Sequence, residues 1–334
     1  MNSIELSTLK NEIQNDFDVF ICSSSYEQRC LSVCSNLKIG KSVKSFVIFH
    51  EEYEVYIKNN LDEQKKILKT RYSLVEASIK NPLLTADNIK ENIIDYIQIE
   101  KKKNILVDTT TFTHETLLIL IKLLAIYCRN LKITCIYTSA KEYSVGDDIK
   151  NKWLSKGIEE VRAVLGYPGN LVPLKKTHLI VIVGYEYERA ISMINILEPN
   201  YLSLVYGKSE NATVEKDKEA NSHYSDLIIE MSPSYQEINK FDIPCNDPQK
   251  TCMILEKHIR KHKNENILIA PMNNKISTIG VGLLALKNEN LQLCYGPALT
   301  YNIKNYSTPG EKCYIFDIDL AKSRACLKKC VNDH

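Results

Sequence analysis

Two polar stretches stand where apolar runs end, and they carry the side chains best suited to binding or transforming a small molecule. Ser23-Ser24-Ser25-Tyr26-Glu27-Gln28-Arg29 follows Asp18-Val-Phe-Ile-Cys22, and Asp108-Thr109-Thr110-Thr111-Phe112-Thr113-His114 follows Asn104-Ile-Leu-Val. Hydroxyls and unpaired backbone N–H groups at a helix start suit a phosphate, and they equally suit simple N-capping. Asp108 among three threonines can hold a ribose hydroxyl, act as a base or cap the next helix. His114, the histidine expected at the same mouth, is the matching general acid/base candidate. Thr138, Ser139 and Lys141 follow a third apolar run. Arg29 can reach an anionic ligand, or pair with neighbouring Glu27.

The same plan occurs again downstream. Leu179-Ile-Val-Ile-Val183 runs into Gly184-Tyr185-Glu186-Tyr187-Glu188-Arg189, so that Tyr26-Glu27 falls on Tyr187-Glu188. Phe46-Val-Ile-Phe49 is answered by Tyr201-Leu-Ser-Leu-Val205, and Asn104-Ile-Leu-Val-Asp108 by Asn266-Ile-Leu-Ile-Ala270. After these last two come polar turns, the second being Pro271-Met-Asn273-Asn274-Lys275, and long apolar helices expected near residues 115–129 and 276–287. Tyr137-Thr-Ser-Ala140-Lys-Glu-Tyr143 matches Tyr295-Gly-Pro-Ala298-Leu-Thr-Tyr301. Four correspondences in one order, offset by about 160 residues, indicate an internal duplication.

Apolar β-branched runs alternating with helical segments predict βαβ units. The expected fold is therefore α/β: two tandem Rossmann-like halves with parallel sheets, followed by a short basic C-terminal helix. The boundaries read as 1–145 for the first half, 146–176 for a helical linker and turn, 177–306 for the second half, and 307–334 for a strand and basic helix. Within the linker, residues 148–165 predict a helix that breaks at Gly166-Tyr-Pro-Gly-Asn170. Ligands of such sheets bind beyond the carboxyl ends of the strands, where the polar stretches lie. The second copy replaces Asp108 by Ala270 and carries Asn273, Asn274 and Lys275 instead, so the halves differ in chemistry.

Composition narrows the field. With 44% hydrophobic and 25% charged residues, the 334-residue chain has a globular profile. A net charge of +2 gives no bulk field for DNA or anionic membrane, although Lys322, Arg324, Lys328 and Lys329 make the tail locally basic. Eleven cysteines in no disulfide framework, with no signal-like start and no long apolar stretch, point to a reducing cytoplasm and no membrane. No G-x-G-x-x-G, H-E-x-x-H, C-x-x-C or G-x-S-x-G occurs, and Gly40-Lys41-Ser42 has Ser35 where a P-loop needs glycine. His258 and His262 sit among lysines and read as a solvated helix face. Cys313, Cys326, Cys330 and His334 have ligand-type side chains at no known zinc spacing. No metal or cofactor is expected.

Tandem Rossmann-like halves without those fingerprints resemble the CRISPR-associated Rossmann-fold sensor domains and their fused double version, SAVED. The resemblance implies a cyclic oligonucleotide or related nucleotide bound by residues 23–29, 108–114 and their second-half equivalents, an anti-phage signalling role, and an effector or partner protein, since no effector domain is attached. Homo-oligomerisation is compatible with it. The alternatives are a nucleotide- or nucleoside-processing enzyme, such as a glycosidic-bond hydrolase or transferase with Asp108 as carboxylate and His114 as helper, and a scaffold with vestigial sites.

Overall fold

The computed structural model describes residues 3–13, 17–69, 71–144, 153–214, 220–235 and 237–323. Its strands are β1 (Ile4–Glu5), β2 (Val19–Ser23), β3 (Lys44–His50), β4 (Tyr72–Ala77), β5 (Asn104–Asp108), β6 (Lys132–Tyr143), β7 (Ser155–Lys156), β8 (Arg162–Pro168), β9 (Thr177–Ile182), β10 (Tyr201–Gly207), β11 (Ile238–Ile243), β12 (Asn266–Pro271), β13 (Gln292–Tyr295), β14 (Thr300–Tyr301) and β15 (Ser307–Ile318). Its helices are α1 (Leu9–Glu12), α2 (Ser32–Asn36), α3 (Glu54–Leu68), α4 (Pro82–Ile89), α5 (Asp95–Ile99), α6 (His114–Tyr127), α7 (Tyr187–Leu197), α8 (Ala220–Glu230), α9 (Pro248–Ile259), α10 (Lys275–Lys287) and α11 (Leu320–Ser323). Described residues up to Ser144, with Asn305–Lys322, make one compact unit, and those from Trp153 to Lys304 make the second.

Each unit is built on a largely parallel sheet of Rossmann-like order. The first runs β4-β3-β2-β5-β6-β15-β1 and the second β11-β10-β9-β12-β13-β8. Strands β2 and β12 are buried along their whole length, as strands covered by helices on both faces must be. The covering helices follow the same logic. In α3 the buried positions Ile57, Leu61, Gln64 and Leu68 recur at helical spacing, one buried stripe in which the Gln64 amide donates to the Ser23 and Cys30 carbonyls. Helix α10 is buried from Ile276 through Leu286, and its start is fixed by Asn274, whose side chain accepts from the Ser277 N–H. Thr113 caps α6 in the same way through Thr116 N–H.

The described part of the segment expected to be helical over 148–165 is not helical. That part, from Trp153, holds β7 and the start of β8, and β8 extends through Gly166-Tyr-Pro168 instead of breaking there. Gly157 and Gly166 have φ of 69° and 88°, left-handed conformations that interrupt any right-handed helix. Val164 and Tyr167 are buried along β8. Of the expected C-terminal helix, α11 is described; Arg324 and all later residues, Cys326, Cys330 and His334 among them, lie outside the described residues.

Strand β8 is the antiparallel neighbour of β13, and β15 is the antiparallel neighbour of β6. The strand trailing the first repeat thus completes the second sheet, and the strand trailing the second repeat completes the first. A fragment ending at residue 144 lacks β15 and leaves the N–H and C=O groups along β6 unpaired. It is expected to unfold without a cooperative transition, and to regain one when a peptide covering 305–322 is added. Urea denaturation followed by circular dichroism checks this; a cooperative transition for the fragment alone contradicts it.

Candidate functional site

In the first sheet the chain runs outward from β2 through β3 to β4, then returns to place β5 on the other side of β2. The crevice where the strand order reverses, between the ends of β2 and β5, is where sheets of this kind bind ligands. Both polar stretches end there. Thr111 Oγ1 lies 2.8 Å from Ser23 Oγ and donates to the Ser23 carbonyl at 3.2 Å, tying the two loops together. Asp108, 2% exposed, accepts from Thr110 N–H at 3.1 Å and Thr110 Oγ1 at 2.5 Å, and Thr110 Oγ1 in turn accepts from Thr138 N–H at 3.0 Å. Burial pushes the Asp108 carboxyl up to about 6 against the opposing pull of those hydrogen bonds and of Arg29. Ser24 Oγ and Thr138 Oγ1 are buried with no hydrogen-bond partner among the described residues. The arrangement offers hydroxyl hydrogen bonds and one carboxyl that changes charge near neutral pH.

The arginines play a different part. Arg29, 3% exposed, donates to Glu27 Oε2 through Nε at 2.9 Å and Nη2 at 2.5 Å, and to the Thr138 carbonyl through Nη1 at 3.1 Å. Its guanidinium lies 5.1 Å from the Tyr143 ring centroid, and Ser307 Oγ donates to Glu27 Oε2 at 2.6 Å. Burial works most strongly against the Arg29 charge, but Glu27, Tyr143 and Tyr137 together outweigh it and the guanidinium stays protonated. In the second unit Arg189 donates to Glu186 Oε1 at 2.5 Å and to Ser155 Oγ at 2.9 Å, and also to the Gly296 carbonyl. Thr138 and Gly296 are matched positions in the repeat, and Tyr143 and Tyr301 beside the two arginines are matched as well. The shared Tyr-x5-Tyr signature therefore belongs to a buried ion-pair cluster built twice. Arg29, Glu27, Arg189 and Glu186 are framework groups, and the carboxylate facing Arg189 is Glu186, whereas Glu188 is exposed on the first turn of α7.

At the second unit's switch point, between β9 and β12, side chains fill the corresponding space. A Cβ on Gly184 would lie 2.3 Å from the Met272 carbonyl oxygen, so only glycine lets the two loops approach this closely. Asn273 donates to the Val183 carbonyl and accepts from Asn274 N–H at 2.7 Å and the Cys245 thiol at 3.3 Å. Asn274 donates to the Cys245 carbonyl at 2.8 Å besides capping α10, which Lys275 opens. Tyr185 packs on Tyr224, as does Tyr187, whose ring stacks at 5.3 Å. Tyrosine contacts also hold Tyr26, edge-on to Tyr53 and Tyr306 at 5.8 and 5.4 Å.

Several other expected residues have structural roles. Thr109 donates through both N–H and Oγ1 to the Ile136 carbonyl, Ser139 donates to the Lys312 carbonyl at 2.9 Å, and Ser25 Oγ accepts from Glu27 N–H at 3.2 Å. Lys141 is exposed farther along β6, and His114, partly exposed, opens α6. His114 is not the sole histidine at this edge. His50 ends β3, buried, with Nε2 3.0 Å from Thr116 Oγ1, and burial pushes its imidazole down to about 4. Glu52 follows it, accepting from Ser78 Oγ at 2.7 Å and Lys80 N–H at 3.0 Å. Both were readable as the residues after an apolar run. Burial also pushes the Cys34 thiol up to about 12, and Cys22 and Cys30 rise with it, which keeps these thiols protonated and inert.

No protein-family model and no curated protein matches this chain. Among solved structures, AtPrR2 with NADP+ and (+)pinoresinol matches at 11% sequence identity and a TM-score of 0.25, over 72% of this chain and 83% of that one. The class stands on the strand order itself: a protein of two Rossmann-like α/β units. Among the described residues, no helix is long and apolar enough to cross a membrane.

The Asp108 environment has a measurable consequence. A carboxyl raised from its ordinary value of about 3.9 to about 6 favours the fold when protonated, so its contribution is full below about pH 4 and is lost as pH rises through about 6. Asp108→Asn keeps an acceptor for Thr110 and carries no charge. The variant is expected to be more stable than the parent at pH 7.5 by about 1–3 kcal/mol and equal to it at pH 4. Urea denaturation at the two pH values measures this, and equal stability at both would contradict the assignment.

Proposed function

We propose that this is a nucleotide-binding regulatory protein whose working site is the β2–β5 crevice of the first unit, with the second unit as its structural counterpart. The observation that carries the reading is Asp108, a carboxylate kept buried at the switch point although burial disfavours its charge. An acidic group there suits a ribose diol, and the hydroxyls of Ser23, Ser24 and Thr111 beside it suit sugar or phosphate oxygens. With Arg29 and Arg189 held by their own carboxylates, a bound phosphate would meet hydroxyl and N–H donors, so affinity should depend only weakly on salt. The resemblance to tandem Rossmann-fold sensors nominates a cyclic oligonucleotide as ligand and defence signalling as the setting, with a partner protein providing the output.

A second reading is favoured by one specific observation. A carboxyl poised near 6 can take and return a proton at neutral pH, which is what general acid/base cleavage of a glycosidic bond requires.

Native mass spectrometry of the full chain with mononucleotides, NAD, NADP and cyclic oligonucleotides tests both. An unaltered ligand retained by the wild type, and weakened at least tenfold by Asp108→Asn, is the expected result. Conversion of a ligand that Asp108→Asn abolishes would replace the regulatory reading with the enzymatic one. Neither retention nor conversion across the panel, or retention indifferent to Asp108→Asn, would overturn the site.

A further inference from the structure

At the opposite end of the second sheet, three imidazoles and a carboxylate collect where the sequence pattern predicts a solvated lysine-rich face. His178 lies near the start of β9, fully buried, beside Ile267 of β12. His258 belongs to α9, and His262 and Glu265 lie on the turn that carries the chain from α9 into β12. His178 Nδ1 is 2.6 Å from Glu265 Oε2, and His262 Nδ1 is 3.1 Å from each Glu265 oxygen. The His178 and His262 rings are 4.5 Å apart between centroids. On its far side His178 Nε2 is 2.7 Å from Ser203 Oγ, which is 3.0 Å from His258 Nε2.

We propose that His178 Nδ1, His262 Nδ1 and the Glu265 carboxylate form a binding site for one divalent transition-metal ion of the zinc class. The three ligand atoms lie within 4.8 Å of one another. Around a tetrahedral zinc ion, with bonds of about 2.0–2.1 Å, ligand atoms stand roughly 3.4 Å apart, so closure needs only small movements. Those movements fall on His262 and Glu265, which are 20% and 19% exposed, while His178 is fixed by the sheet. Two imidazoles and one carboxylate are a donor set suited to zinc or its neighbours and poorly suited to calcium or magnesium, which take oxygen ligands.

Beyond the ligands, the surroundings are those a metal-bound histidine needs. A histidine bound through Nδ1 carries its proton on Nε2 and usually donates it to a fixed acceptor. Ser203 Oγ is that acceptor for His178, and its own hydroxyl then donates to His258 Nε2. Without metal the chain runs the other way, with both Nδ1–H groups donating to Glu265, the Ser203 hydroxyl donating to His178 Nε2, and Ser203 Oγ accepting from His258 Nε2–H. The two Ser203 hydrogen bonds are made in both states with their direction reversed, and the metal takes the place of the two hydrogen bonds to Glu265, so loading the site moves protons within the network and leaves His178, Ser203 Oγ and His258 Nε2 partnered. Phe241 packs against the His258 ring, with centroids 4.4 Å apart. The outer side opens on a groove of about 650 Å³ lined by His262 and Glu265 together with Arg260, Lys263 and Lys287, where a water or an anion would complete the coordination.

The test is zinc titration of the chelator-treated full chain by calorimetry, with cobalt(II) absorption reporting ligand type. The expected result is one ion per chain, a cobalt spectrum of nitrogen and oxygen ligation without thiolate bands, and a shift of the His258 tautomer in nitrogen NMR. His262→Ala and Glu265→Gln should each weaken binding at least a hundredfold, and Ser203→Ala about tenfold. Glu265→Gln retains an acceptor for both imidazoles, so its thermal unfolding without metal should match the parent. Cys326→Ser with Cys330→Ser should leave binding unchanged. No uptake by the wild type, or uptake untouched by His262→Ala and Glu265→Gln, overturns the proposal, and loss of uptake in the cysteine variant would place the ion on the tail.

Discussion

The first unit depends on one buried ion pair. Arg29 and Glu27 are removed from water, and each is satisfied only because separate parts of the chain meet at them. Glu27 and Arg29 come from the loop after β2, the Thr138 carbonyl from β6, the Tyr143 ring from the end of β6, and the Ser307 hydroxyl from the start of β15. A charge in such a place is tolerated only with its partners in position, because an unpaired one would be far more destabilising than the pair is stabilising. The pair therefore fixes how the β2 loop leaves the sheet, and with it where Ser23 stands relative to Thr111. The second unit repeats the device with Arg189, Glu186, the Gly296 carbonyl and Ser155.

What the device positions differs between the units. In the second, Gly184 and Asn273 bring the two loops into direct contact and use up the polar groups at the crevice. In the first, threonine hydroxyls make the crossing, and a carboxylate remains at the position where the other unit has Ala270. Alanine there shows that the fold does not require an acid. Asp108 thus carries a desolvation penalty that the second unit does without, and this is the ground of the proposal that it contacts a ligand.

Much of this was legible in the sequence. Apolar runs at β2, β5, β9 and β12, the polar stretches after them and the repeated order are local patterns, and local patterns survive without knowledge of the fold. Pairings across long separations do not. Arg189 chose Glu186 and left Glu188 in solvent, a choice made by where α7 begins. The edge strand β8 reads in the sequence as the end of a helix, to residue 165, followed by a turn from Gly166, because its residues lack strict alternation, and only the empty edge of β13 makes it a strand. His178 was a lone histidine in an apolar run; its meaning comes from His262 and Glu265, brought beside it by the pairing of β9 with β12.

The claim on which the site rests is that the arginines belong to the framework and leave ligand recognition to Asp108 and the hydroxyls. Equilibrium urea denaturation of Arg29→Met, Glu27→Gln and the double variant tests it without any ligand. Each single substitution is expected to destabilise the first unit by about 3–5 kcal/mol, with the double variant losing much less than the sum. An Arg29→Met protein as stable as the wild type would mean that the guanidinium is held in reserve for an anion, and would contradict its place in the framework.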